Sequence, residues 1–135
     1  MRKRNRFRNY LTFQALVILL VIAAFRFIPD KKAASVVTSL LFIGTSVAIL
    51  WRETRFPDYR KRASFWGVLF FLLVSALPIF ALRLIYWDMS FEEISLAGVS
   101  GADMHRASSY VFILMMVCFF IDSYLEQVKE RQQLQ

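Results

Sequence analysis

Residues Ser64 to Trp87 read "SFWGVLFFLLVSALPIFALRLIYW", 24 residues with a single charge, Arg83. A bilayer core about 30 Å thick is crossed by roughly 20 helical residues. A membrane-spanning strand needs only about 9–11 residues and alternates in polarity. This stretch is too long for a strand and does not alternate. Lipid offers no water to satisfy free backbone groups, so a single apolar span of this length is helical.

Three further runs have the same character: "LTFQALVILLVIAAFRFI" (Leu11 to Ile28), "AASVVTSLLFIGTSVAILW" (Ala33 to Trp51) and "ASSYVFILMMVCFFIDSYL" (Ala107 to Leu125). The chain of 135 residues is 58% hydrophobic and 16% aromatic. An ordinary soluble domain is nearer about 45–50% apolar. The expected fold is therefore an all-α integral membrane protein, a single membrane domain built as a four-transmembrane-helix bundle. The spans fall at about 11–28 (TM1), 33–51 (TM2), 64–87 (TM3) and 104–125 (TM4). An outer loop covers about 88–103, and a tail covers 126–135.

Charge placement sets the expected orientation. Arg2, Lys3, Arg4, Arg6 and Arg8 precede TM1, and Arg52, Arg55, Arg60, Lys61 and Arg62 lie between TM2 and TM3. With Lys129 and Arg131 they place 12 basic residues at one end; Arg26, Lys31, Lys32, Arg83 and Arg106 place 5 at the other. The positive-inside rule puts both termini in the cytoplasm, and the bacterial cytoplasmic membrane is the expected location. The net charge of +7 sits in short clusters between apolar runs, suited to anionic headgroups at the cytoplasmic face. There is no RNA-binding aromatic motif and no continuous basic helix, so nucleic acid is not an expected partner. The basic "MRKRNRFRNY" before TM1 resembles the start of a signal peptide, but the apolar run is long for one, and an uncleaved helix is expected.

In "RFIPDKK", Pro29 stops the first helix and Asp30 can cap the second, which makes TM1 and TM2 an antiparallel hairpin. Ser35, Thr38, Ser39, Thr45 and Ser46 recur at helical spacing on TM2, and Gly44 and Ala48 form a small-xxx-small pair. Such residues let helices approach closely, so this face is expected to pack. Pro78 removes a backbone bond within TM3 and predicts a kink near 74–78, with Ser75 placed to take a freed backbone group. Gln14 and Asp122 fall near the inner ends of their helices and Arg26 and Arg83 near the outer ends. No ionisable group lies clearly at the midplane, which argues against a pump. Trp51, Trp66, Trp87, Tyr10, Tyr86, Tyr110 and Tyr124 mark the two interfaces. Cys118, the one cysteine, reads as a small apolar side chain within TM4.

The polar stretch "SFEEISLAGVSGADMHRASSY", Ser90 to Tyr110, is where chemistry would sit. "SFEE" reads as a capping box opening a short amphipathic helix on the outer interface, with Phe91, Ile94 and Ala97 on one face and Gly98 ending it. Asp103 reads as the N-cap of TM4. The remaining acids balance the outer bases. His105 is left without a structural role; with Glu92 and Asp103 it forms the candidate catalytic set, although no nucleophile motif accompanies it. One histidine among scattered acids is a poor metal site, and haem would need a second strong ligand. No metal or cofactor is expected.

Three functions follow, in order of support. The first is a small non-catalytic membrane protein acting as a subunit, assembly factor or scaffold through helix–helix contacts, with a membrane protein or its own copies as partner. The second is an oligomeric channel or small transporter with TM2 lining a pore. The third is a membrane enzyme acting on lipid at the outer interface through Glu92, Asp103 and His105.

Overall fold

The computed structural model describes residues 5–135. Arg2, Lys3 and Arg4 lie outside the described residues. The Asn5 carboxamide accepts from the Arg8 amide at 3.1 Å and caps α1, Arg6–Phe27. Pro29 follows, and the Asp30 side chain accepts from the Lys32 amide at 3.0 Å to start α2, Lys31–Glu53. A basic loop with one 3₁₀ turn, Tyr59–Lys61, leads to α3, Ala63–Ile85. A short polar segment then precedes α4, Gly101–Gln133. All four helices are long and apolar enough to cross a membrane. The Asn5 carboxamide bonds the Ser123 carbonyl, so the start of α1 and the later part of α4 share one end of the bundle, the terminal end. The opposite end is the hairpin end.

α3 is not a uniform helix. Phe71–Ala76 is wound as a π segment, in which the Leu77 amide donates to the Leu72 carbonyl five residues back. Pro78, just after it, has no amide to give, and the wider turn re-pairs the backbone around the gap. The disturbance expected at Pro78 is therefore a π segment on its N-terminal side. Ser75 takes no freed backbone group there; its hydroxyl bonds that of Ser108 on α4 at 2.5 Å.

The helices close on an apolar core that includes Phe7, Tyr10, Val68, Phe71, Met115 and Phe119. Gly67 permits a close approach of α3 to α4: a Cβ there would stand 3.0 Å from the Cys118 side chain. Near mid-bundle Phe42, Phe71 and Phe112, one from each of α2, α3 and α4, form a triangle with ring centroids 5.4–5.7 Å apart in edge-on pairs. Edge-to-face pairs of this kind add about 0.5–1.5 kcal/mol each beyond their burial.

The segment between α3 and α4 differs from the expected amphipathic helix. Only one 3₁₀ turn forms, Phe91–Glu93, where the Glu93 carboxylate accepts from the Ser90 amide at 3.2 Å. The chain then makes a two-stranded hairpin of β1, Ser95–Leu96, and β2, Val99–Ser100, with Ser95 opposite Ser100 and Leu96 opposite Val99. Ala97 and Gly98 both carry positive φ, 51° and 81°, as a tight two-residue hairpin turn requires. Gly98 is thus a turn residue and not a helix stop. The N-cap of α4 is Ser100, whose hydroxyl accepts from the Asp103 amide at 3.2 Å. Asp103 lies in the first turn of the helix, where it meets the positive helix end.

The N-terminus of α3 has no local cap. Its amides at Ala63 and Ser64 donate to the two carboxylate oxygens of Asp122 on α4, at 3.3 and 2.8 Å. Asp122 is 1% exposed, so removing it leaves buried amides without partners. Asp122→Ala is expected to destabilise the protein by about 2–3 kcal/mol, a lost cap plus unpaired buried donors, and Asp122→Asn by less. Reversible unfolding in mixed micelles checks this; an Asp122→Ala variant as stable as wild type would remove the capping role.

Candidate functional site

Two polar regions lie within the bundle, one at each end. At the terminal end Glu53, the last residue of α2, is fully buried. Its Oε1 accepts from the Tyr10 hydroxyl on α1 at 2.5 Å, and its Oε2 stands 3.2 Å from Arg6 Nε. The Arg6 guanidinium is itself held between the rings of Phe7 and Phe56, at 4.9 and 4.0 Å. The Asn5 carboxamide donates to the Ser123 carbonyl on α4 at 2.9 Å. Tyr59 is buried beside this group, and burial holds its phenol above its usual pKa. Glu53 thus has one hydrogen-bonded oxygen and a close cation beside the other. The arrangement ties helices together.

The hairpin end is built differently. A cavity of about 380 Å³ lies between the four helices, within the range of about 300–1,000 Å³ usual for small-molecule sites. The Phe42, Phe71 and Phe112 triangle contributes to its wall, as do Ile18 and Phe25 of α1 and Ile113 of α4. Its polar lining is sparse and placed by helical repeat: Ser35, Thr38 and Ser39 from α2, Ser75 from the π segment, and Ser108 and Ser109 from α4. Ser39 donates to the Ser35 carbonyl at 2.9 Å, and Ser109 to the His105 carbonyl at 3.2 Å. The Thr38 hydroxyl is buried and has no hydrogen-bond partner among the described residues.

Arg83 and His105 complete the lining. The Arg83 guanidinium sits over the Phe91 ring at 4.2 Å. Among the described residues, no carboxylate forms an ion pair with it. A second recess outside the cavity is lined by Arg83, His105, Glu92 and Arg106, so Arg83 and His105 stand between the two spaces.

The cavity also has an open side. On α1 the buried residues are Phe7, Tyr10, Gln14 and Val17, and none from Ile18 to Phe27 is buried. On α4 none from Ala102 to Leu114 is buried, whereas Met115, Phe119, Asp122 and Ser123 are. These two helices meet at the terminal end, through Asn5 with Ser123 and Tyr10 against Phe119. Their hairpin-end halves leave exposed the cavity-lining Ile18, Phe25, His105, Ser109 and Ile113. The cavity therefore opens sideways between α1 and α4, toward where lipid would lie.

Of the residues singled out from the sequence, His105 and Glu92 share the outer recess, while Asp103 lines neither space. Asp103 is exposed, accepts from the Ser100 hydroxyl at 3.0 Å and lies 3.8 Å from Arg106. The three do not converge. Among the described residues, no cluster of three or more histidine, cysteine, aspartate or glutamate side chains is placed to hold a metal. On α2, Ser35 and Ser39 face inward, and Thr45 bonds back to the Phe42 carbonyl at 3.1 Å. Gly44 and Ala48 face outward.

Glu53 carried no signal in the sequence, because its partner Tyr10 lies 43 residues away and reads as an interfacial aromatic. Arg83 was visible as a charge near a helix end, but the space beside it was not.

Comparison with protein-family models, with characterised proteins and with solved structures finds no match to this chain.

The open side can be probed with single cysteines in a Cys118→Ser background. Thr38→Cys, on the cavity wall, is expected to react with a small thiol reagent. Ser46→Cys, about two turns further along the same helix and buried, is expected to be protected. Equal protection of both would mean that the cavity is closed.

Proposed function

We propose that the protein is a small non-catalytic membrane subunit, assembly factor or scaffold that works through helix–helix contacts. The observation that carries this reading is the outward face of α2. Gly44 and Ala48 are exposed, and a Cβ built on Gly44 meets nothing within 4 Å. Nothing among the described residues requires a glycine there. Val37, Leu40, Val47 and Trp51 flank the pair and are exposed too. In lipid, a notch of small residues between larger ones lets a second helix approach closely, and van der Waals contact then holds it. The scattered positions of Glu92, Asp103 and His105 favour this reading over an enzyme.

The orientation that accompanies it places the terminal end in the cytoplasm, most simply that of a bacterial inner membrane. The basic residues of the α2–α3 loop and the last turns of α4 would then meet anionic headgroups. An oligomeric pore lined by α2 would have to use the outward residues of that helix, which between Val37 and Trp51 are apolar; its serines face the protein's own interior.

The test uses the neutrality of position 44 toward the fold. Gly44→Leu and Ala48→Leu are expected to fold and melt as wild type does, yet to lose association in mild detergent, whether with a stoichiometric membrane partner or a second copy. Site-specific crosslinking through Val47→Cys reads the same contact in membranes. Association and crosslinking unchanged in both leucine variants would refute the proposed contact.

A further inference from the structure

We propose that the cavity at the hairpin end is a binding site for an anionic membrane lipid, with one acyl chain between the helices and the headgroup phosphate at Arg83 and His105. This goes beyond the helix-contact reading and does not depend on the α2 notch, which lies on the outer surface of the bundle.

Shape is the first argument. The cavity is apolar over most of its lining, and its exposed walls, Ile18, Phe25 and Ile113, lie on the two helices that part at this end. A ligand enters from the bilayer side and not through the terminal end, where α1 and α4 are joined. The volume of about 380 Å³ suits part of an amphiphile, one chain, while the rest of the molecule stays in the bilayer.

Charge is the second argument. Arg83 is half-buried and, among the described residues, has no carboxylate partner. A cation in such surroundings is stabilised by an anion that reaches it, and a guanidinium takes phosphate through two parallel hydrogen bonds. The Phe91 ring covers one face of the guanidinium and leaves its edge for the headgroup. His105 lies beside it with its ring nitrogens unbonded among the described residues. A zwitterionic headgroup would bring its own cation next to Arg83, so the site favours a headgroup of net negative charge.

Polarity at depth is the third argument. The Thr38 hydroxyl is buried on the cavity wall without a partner among the described residues. An ester carbonyl of the lipid is an acceptor of the right kind for it. A purely apolar guest would leave that hydroxyl unpaired.

The experiment measures thermal unfolding of the full chain, delipidated in a non-ionic detergent, during titration with three probes. These are phosphatidylglycerol, phosphatidylcholine with the same acyl chains, and inorganic phosphate. Phosphatidylglycerol is expected to raise the melting temperature saturably, phosphatidylcholine to bind about fivefold or more weakly, and phosphate alone to do nothing. Arg83→Gln is expected to weaken phosphatidylglycerol about five- to tenfold, the loss of one cation–phosphate contact near the membrane surface. Arg106→Gln, whose cation pairs with Asp103 outside the cavity, is expected to leave affinity within about twofold, since exposed pairs contribute little. Ile113→Trp, at an exposed position beside the opening, obstructs the chain and is expected to weaken both lipids without unfolding the protein.

Equal binding of the two lipids to wild type overturns the headgroup assignment. Wild-type binding by Ile113→Trp overturns the cavity as the chain site. Stabilisation by inorganic phosphate alone, matching that by phosphatidylglycerol, would show a free-anion site and overturn the lipid. Should Arg83→Gln fail to fold, Arg83→Lys replaces it: retained charge with a lost fork predicts intermediate affinity, and wild-type affinity would remove the bidentate contact.

Discussion

Asp122 and Glu53 are carboxylates withdrawn from water at one end of the bundle, and the placement of all four helices rests on how they are satisfied. Asp122 on α4 takes the first amides of α3. Glu53 on α2 takes the hydroxyl of Tyr10 and the charge of Arg6, both on α1. Asn5 joins α1 to α4 through the Ser123 carbonyl. Each clamp links two different helices, and together they connect α2 to α1, α1 to α4 and α4 to α3. In lipid the hydrophobic effect gives no preference for helix over acyl chain, so directional polar contacts carry much of the specificity. A lone buried carboxylate is costly, which penalises any arrangement that separates Glu53 or Asp122 from its partners.

Clamping at one end leaves the other free to widen. The aromatic triangle of Phe42, Phe71 and Phe112 keeps α2, α3 and α4 in contact at mid-bundle. α1 has no ring in that triangle, and from Ile18 onward none of its residues is buried. The exposed residues of the cavity wall lie on α1 and α4. The π segment adds to that wall: by widening one turn of α3 it presents Ser75 to Ser108 and turns Ala76 and Ile79 to the cavity wall. A proline that reads from sequence as a packing irregularity thereby helps to shape an internal surface.

The four helices were legible because lipid-spanning length and uniform apolarity are local properties; the run from Ser64 to Trp87 displays both without reference to the rest of the chain. The Pro29–Asp30 turn was legible for the same reason. The segment from Ser90 to Ser100 is ambiguous in sequence because Phe91, Ile94 and Ala97 fit a helical face as well as they fit one turn and a hairpin. Positive φ at two successive residues decided the outcome, and Ala97 gives little sign of it, since an alanine rarely adopts that conformation. The cap of α4 moved from Asp103 to Ser100 because both residue types cap well and the hairpin delivers the chain at Ser100. The clamps and the cavity were not legible at all. Each depends on residues dozens of positions apart, and Glu53 and Asp122 look in sequence like ordinary charges near helix ends.

The two ends of the molecule differ in how their most enclosed charges are matched. At the terminal end the two most enclosed carboxylates find counterparts within the chain: Glu53 with Arg6 and Tyr10, Asp122 with the α3 amides. At the hairpin end Asp103 and Arg106 pair on the exposed surface, yet Arg83, the more enclosed cation, is left with only an aromatic ring. Asp88 follows five residues after it, and Glu92 shares its recess, but neither forms an ion pair with it among the described residues. If charge balance alone shaped this end, Arg83 would be the first cation to be matched, since half-buried charge costs more than exposed charge. An enclosed cation bordering a mostly apolar, side-opening cavity is better accounted for as the polar half of a site whose anion comes from outside the chain.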